Sequence, residues 1–137
     1  MSQHCPGQNS HHIQWCPKYR YNMLKQPRLY QACEASLGRA AARHGITLLE
    51  RAVMSDHVHV VADLPSGMSP ARAAMLLKGA SARDLFAFEP KFRKRLWAGH
   101  FWARGYFHRS AGDADLATIT HYVRHGNDSR QQKLAAY

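Results

Sequence analysis

The stretch Ile46-Thr47-Leu48-Leu49-Glu50-Arg51-Ala52-Val53-Met54-Ser55-Asp56-His57-Val58-His59-Val60-Val61-Ala62-Asp63-Leu64 decides the fold. Residues 46–54 read as a strand, Ser55-Asp56 as a turn, and residues 57–64 as the next strand. Two strands joined by so short a turn form an antiparallel hairpin. Alternate side chains of a strand share a face, so Val58, Val60, Ala62 and Leu64 point one way. His57 and His59 point the other. Pro65, Ser66 and Gly67 end the pair.

Upstream of the hairpin, Gly45 is placed to terminate a helix that starts after Pro27. In that helix Leu29, Cys33, Leu37 and Ala41 recur on one face, with Tyr30, Glu34 and Arg39 turned elsewhere. Residues 11–21 read as a first strand, with Ile13, Trp15, Tyr19 and Tyr21 on one alternating set. Pro17 interrupts its ladder and implies an edge position or a bulge. Residues 1–10 are polar, carry Pro6 and Gly7, and read as a loose arm; residues 11–137 read as a single domain.

Downstream, Ser69 is an N-cap and Pro70 the first residue of a second helix. Its stripe is Ala73, Leu76, Leu77, Ala80 and Leu85, and Gly79 reads as a point where another segment comes close. Residues 101–102 and 106–109 read as a short strand pair hinged at Gly105. A last helix runs from Asp113 to His125 and stops at Gly126-Asn127. The order β-α-β-β-α-β-β-α implies an α+β fold, an antiparallel sheet with helices packed on its faces.

Composition narrows the function. The 137 residues are 45% apolar, enough for one core, and the formal net charge is +10 with 10 histidines besides. So basic a chain favours a polyanionic partner, because its cations displace the counterions of phosphates. No apolar stretch approaches the roughly 20 residues that cross a bilayer, so no membrane partner is expected. The start of the chain lacks the apolar run of a signal peptide. The 3 cysteines show no CxxC spacing. Disulfides and a zinc knuckle are therefore not expected, and the reading is a cytoplasmic protein with reduced thiols.

Two imidazoles about 7 Å apart along a strand can converge on one divalent ion, and neutral rings supply its ligand nitrogens. His57 and His59 have that spacing; a solvated or core-packed pair is the alternative. On the last helix Leu116, Ile119 and Val123 form an apolar stripe, and Tyr122 lies on its flank among His121, Arg124 and His125. A tyrosine hydroxyl beside a metal-bound phosphate can act as a covalent nucleophile, whereas an interfacial tyrosine needs no chemistry. Lys18, Arg20, Lys25 and Arg28, then residues 91–95, Arg104, Arg109 and Arg130 supply positive charge. Trp97, Trp102 and Tyr106 can either stack on unpaired bases or fill the core.

These residues resemble the single-tyrosine HUH transposases (TnpA-like) of the smallest bacterial and archaeal insertion sequences. The likeness runs from about residue 12 to 125 and includes Ser55-Asp56-His57-Val58-His59, Trp15-Cys16-Pro17-Lys18-Tyr19-Arg20 and Leu77-Lys78-Gly79-Ala80-Ser81-Ala82-Arg83. Leu96-Trp97-Ala98-Gly99-His100-Phe101-Trp102 and Gly105-Tyr106 complete it. The resemblance implies a ferredoxin-like domain in an obligate homodimer, with the tyrosine helix of one copy completing the other copy's site. It implies cleavage and rejoining of single-stranded DNA beside hairpins, using Mg2+ or Mn2+ and a 5′-phosphotyrosine. Tyr122 is then the nucleophile, His57 and His59 are metal ligands, and Lys18, Arg20, Lys78, Arg83 and Arg104 contact DNA. The family's usual Gln, four residues past the tyrosine, is replaced by Gly126; His125 is the substitute ligand expected, with Asn127 a second candidate. The covalent link conserves the phosphodiester energy, in keeping with the lack of a Walker A motif. The rival readings are a non-catalytic or domesticated DNA-binding protein and a metal hydrolase that forms no covalent adduct.

Overall fold

The expected hairpin is present, as β2 (Thr47–Val53) and β3 (Val58–Asp63), closed by Met54 N–H donating to the His57 carbonyl at 2.8 Å. A computed structural model describes residues 9–96 and 99–111 of the chain. The other elements are β1 (Ser10–Trp15), α1 (Pro27–Arg43), α2 (Pro70–Phe88), α3 (Lys91–Arg95) and β4 (Phe107–Ala111), with a 3-10 turn over Lys18–Arg20. Residues 113–125, the expected last helix, lie outside the described residues.

The sheet order is β2-β3-β1-β4, every neighbouring pair antiparallel. With one helix after β1 and another after β3, this is the split βαβ arrangement of ferredoxin-like folds. Several expectations change. β1 lies inside the sheet between β3 and β4, and it ends at Trp15 rather than reaching residue 21. Pro17 is the reason: it has no N–H to donate, so it lies past the ladder and makes only an isolated bridge to Trp102. Residues 101–102 and 106–109 do not pair with each other. β4 pairs with β1, while residues 101–103 run beside the exit of β1, with Lys18 N–H on the Phe101 carbonyl and Ala103 N–H on the Cys16 carbonyl, both at 2.9 Å. The polar arm is also shorter than expected. Ser10 begins β1 and is buried, and the preceding carbonyl of Asn9 accepts from Leu64 N–H at 3.0 Å.

The end signals of the first two helices are observed. Pro27 and Pro70 stand at the first turns of α1 and α2, and Ser69 Oγ accepts from Arg72 N–H at 3.1 Å. Gly45, at φ +71°, takes the left-handed conformation that ends α1. Leu29, Cys33, Leu37, Ala40 and Ala41 bury one face of α1. Tyr30, expected to turn away, is buried too. Along α2 it is Ala73, Ala74, Leu77, Ala80 and Leu85 that are buried, with Leu76 only half so. Gly79 is exposed, and no described residue comes within 4 Å of a Cβ built there; the close approach is instead at Gly38, where a Cβ would collide with the Arg51 guanidinium.

Both described long helices pack on one face of the sheet and share a single core with Ile13, Trp15, Val58, Val60, Ala62 and Leu64. A polar clasp joins the helices across that core, with Ser36 Oγ donating to Asp84 Oδ2 at 2.7 Å and Arg39 adding a second bond at 3.1 Å. The opposite face carries Ser10, His12, Gln14, His59, Val61 and Asp63, as the register requires: His12 faces Val61, Gln14 faces His59 and Ser10 faces Asp63.

Candidate active site

His57 is the last residue of the turn and His59 the second of β3, so the backbone alone fixes their spacing. Their ring centroids are 4.6 Å apart with planes at 82°. Each ring is held from behind by its Nδ1. His57 Nδ1 donates to Asp56 Oδ1 at 2.7 Å, and Asp56 Oδ2 lies 3.5 Å from Arg20 Nη2. His59 Nδ1 is 2.9 Å from His12 Nε2, the two rings stacked at 5.1 Å and 11°. A metal held by each ring is therefore held through Nε2, the arrangement in which a partner on Nδ1 sets ring orientation and tautomer.

Protonation agrees with that use. Burial, then the neighbouring His57 and His12, push His59 down to about 4. Burial and then Arg109 lower His12 as well. His59 is therefore neutral at pH 7, the state a metal ligand requires, and the lowering of His12 keeps the ring behind it from competing as a cation. The donor set thus fits a divalent ion, with two imidazoles of borderline softness and open positions for phosphate oxygens. Among the described residues no three His, Cys, Asp or Glu side chains converge as a ligand set. Tyr122 and His125, the nucleophile and third ligand expected from the sequence, lie outside the described residues, as do Gly126, Asn127, Trp97 and Arg130.

The five cations expected at DNA divide into three settings. Lys18 and Arg20 sit at the exit of β1, and Arg20 reaches the carboxylate that holds His57. Lys78 is partly buried on α2, its Nζ donating to the carbonyls of Ala103 at 2.9 Å and Gly105 at 2.8 Å; burial lowers its pKa. In this setting it fastens the loop that leads into β4. Arg83 and Arg104 are exposed, and Arg104 borders a hollow of about 230 Å³ with Lys78, Gly79, Ala82 and His100. Trp102 belongs to the core: it is 7% exposed, and its indole N–H donates to the Lys78 carbonyl and Ser81 Oγ. Trp15 packs edge-on against it at 6.0 Å, and its own indole N–H finds no acceptor among the described residues. Tyr106 is 40% exposed.

His12 and Asp56 are the members of the site that sequence reading did not single out. Asp56 was legible only as a turn residue. His12 belongs to the alternating set of β1 opposite Ile13 and Trp15, but the strand it would face is not written in that set.

The chain is similar to known proteins along most of its length. It is 30% identical over 121 residues to the ISDra2 transposase TnpA of Deinococcus radiodurans, covering 88% of this chain and 86% of that one. It is 29% identical over 119 residues to the transposase for insertion sequence element IS200 of Salmonella typhimurium, covering 84% and 74%. A crystal structure from Deinococcus radiodurans R1, assigned as a transposase, superposes with a TM-score of 0.72 at 25% identity, covering 91% of this chain and 95% of the other. A REP-associated tyrosine transposase bound to a REP hairpin shares the fold, at a TM-score of 0.61 and 13% identity over 90% of this chain and 68% of that one. The family described as "Transposase IS200 like" matches residues 7–126, a span that takes in His57, His59 and Tyr122 alike. The chain belongs to that family of IS200-like transposases and is a transposase acting on DNA.

Proposed function

We propose that the protein nicks and rejoins single-stranded DNA at hairpin-flanked element ends, with Tyr122 as nucleophile and Mg2+ or Mn2+ held by His57, His59 and His125. The observation that carries this reading is the imidazole pair, braced through both Nδ1 atoms by Asp56 and His12, with His59 held neutral by its burial. When bound, a divalent ion supplies charge that polarises the scissile phosphate. Tyr122 Oη attacks phosphorus in line and loses its proton. The bond to the 3′ oxygen breaks, and that oxygen leaves as a free 3′-OH. The 5′ end stays on the phenol as a phosphotyrosine. Attack by another strand's 3′-OH joins the DNA and restores the phenol, with no nucleotide consumed. A phenol pKa near 10 calls for a neighbouring positive charge to favour the phenolate. The protein acts as a homodimer in which the tyrosine helix of one copy completes the site on β3 of the other. The relative that carries a REP hairpin supports a hairpin ligand by analogy.

A denaturing gel of labelled single-stranded DNA, incubated with the protein and Mn2+, tests this. The expected result is a strand cut at one place and bound to protein after denaturation. Tyr122→Phe should abolish the adduct, and His57→Ala should reduce cleavage by about 10³-fold or more, the several kcal/mol that a metal supplies to phosphoryl chemistry. An adduct that persists in Tyr122→Phe overturns the nucleophile. Cleavage without an attached protein overturns the covalent mechanism.

A further inference from the structure

Just past β1 the backbone takes an uncommon path. Tyr19 lies at φ +60°, ψ +15°, and Arg20 at φ +52°, two consecutive side-chain-bearing residues in the left-handed region. L-residues avoid this region because Cβ crowds the following carbonyl, so its use marks a place where the surroundings impose a conformation. The surroundings here are specific. Arg20 N–H is bonded to the Pro17 carbonyl at 2.8 Å, and Lys18 N–H to the Phe101 carbonyl at 2.9 Å.

The consequence is the position of one ring. Tyr19 is 63% exposed, more than any other large apolar side chain among the described residues. The Lys18 ammonium lies 5.3 Å from its centroid, and the Tyr21 ring stands 5.3 Å away at 51°. Arg95 in turn lies 4.9 Å from the Tyr21 centroid. An exposed aromatic ring beside cations has the composition of a single-strand stacking platform, where the ring takes a base and the cations take the flanking phosphates. Its neighbour Arg20 reaches Asp56, which holds His57, so the platform adjoins the imidazole pair through one ion pair and one hydrogen bond.

We propose that Tyr19 stacks on an unpaired nucleobase of the DNA strand whose phosphate is cleaved at His57 and His59, and that the left-handed turn exists to present this ring. The proposal rests on the single-strand reading given under Proposed function. It adds a base-contacting residue to that reading. The occupant is a base rather than a peptide because Lys18 lies against the ring, Arg95 lies over the adjoining Tyr21 ring, and Arg20, next in the chain, reaches Asp56 beside the proposed phosphate site.

The test measures affinity of the full-length protein for a short fluorescent DNA single strand in EDTA, which separates binding from cleavage and metal. Tyr19→Ala should weaken binding about 5- to 150-fold, the range for loss of one stacked base, and Tyr19→Trp should retain it. Tyr19→Gly should melt no lower than the natural chain, since glycine accepts positive φ without a clash, yet bind DNA as weakly as Tyr19→Ala. A ring with a merely structural role would instead lower both quantities together. With an abasic strand of the same length, Tyr19→Ala should bind as the natural chain does. Equal affinity of Tyr19→Ala and the natural chain for the ordinary strand overturns the platform alone. An equal loss on the abasic strand, or a change in oligomeric state on ultracentrifugation, overturns it in favour of a phosphate contact or of a seat for a second copy. A natural chain that binds no single strand overturns the single-strand reading together with this proposal.

Discussion

The two faces of β1 and β3 are built from the same strands and are nearly equally shielded from water, yet they differ in kind. Toward the helices lie Ile13, Val58 and Val60, all 0% exposed. On the other side lie His12 at 9%, His59 at 7% and Asp63 at 2%. A buried hydrocarbon needs only to be packed, but a buried polar group needs a partner as well. The second face supplies partners in pairs: Ser10 Oγ donates to Asp63 Oδ1 at 3.4 Å, and His12 meets His59. One face therefore sets stability through volume. The other is governed by hydrogen bonds and protonation, and small changes in it should alter proton affinity, and affinity for the proposed metal, more than the fold.

Truncation on the helix side should have the largest effect on stability. Leu77→Ala, at a fully buried position, should cost about 2–5 kcal/mol in denaturant unfolding, with the Mn2+ affinity of the folded fraction unchanged. Loss of metal affinity alongside stability would show that the two faces are not independent.

Acid should act through the imidazole face. The folded pKa of His59, about 4, lies below the ordinary 6.5, so the unfolded chain takes up the proton first. The stability contribution is whole above pH 6.5 and is lost progressively as pH falls toward 4; for the metal-free protein the loss is on the order of 2–3 kcal/mol. His59→Gln should flatten that part of the curve, measured by chemical denaturation in EDTA, while His11 and His12, both lowered by burial, keep a smaller slope of the same sign.

The smallest effect belongs to a residue that would not itself hold the proposed ion. His12→Leu removes the group behind His59 Nδ1 and should weaken Mn2+ binding about 10- to 100-fold, by calorimetry, with a modest fall in melting temperature because a buried ring nitrogen loses that partner. His12→Gln, whose side-chain oxygen can accept from Nδ1, should recover most of it. If His12→Leu binds Mn2+ as tightly as the natural chain, the brace does not matter.

Much of this was legible before any coordinates. Pro27, Gly45, Ser69 and Pro70 announce helix ends because each acts through its own backbone or its immediate neighbours. The His57–His59 spacing follows from strand periodicity alone. What was misread involves partners distant in the chain. Pro17 suggested an edge strand or a bulge, but the strand simply stops two residues earlier and is flanked on both sides. Lys78 reads as a free cation until the carbonyls of Ala103 and Gly105 are found on its Nζ. Tyr30 breaks the every-fourth-residue rule because α1 meets both the sheet and α2, which buries a wider stripe than one contact would.

Local sequence determined the elements, their ends, the hairpin and the side of β3 on which two imidazoles stand, since these depend on torsional preference and on a side-chain period of two. Tertiary structure alone decided that His12 stands behind His59, that Asp56 links His57 to Arg20, and that Tyr19 faces solvent from a left-handed turn. Each of these requires two segments distant in the chain to adopt one register or one clamp, and the free energy that selects it comes from the packed whole rather than from any stretch within it.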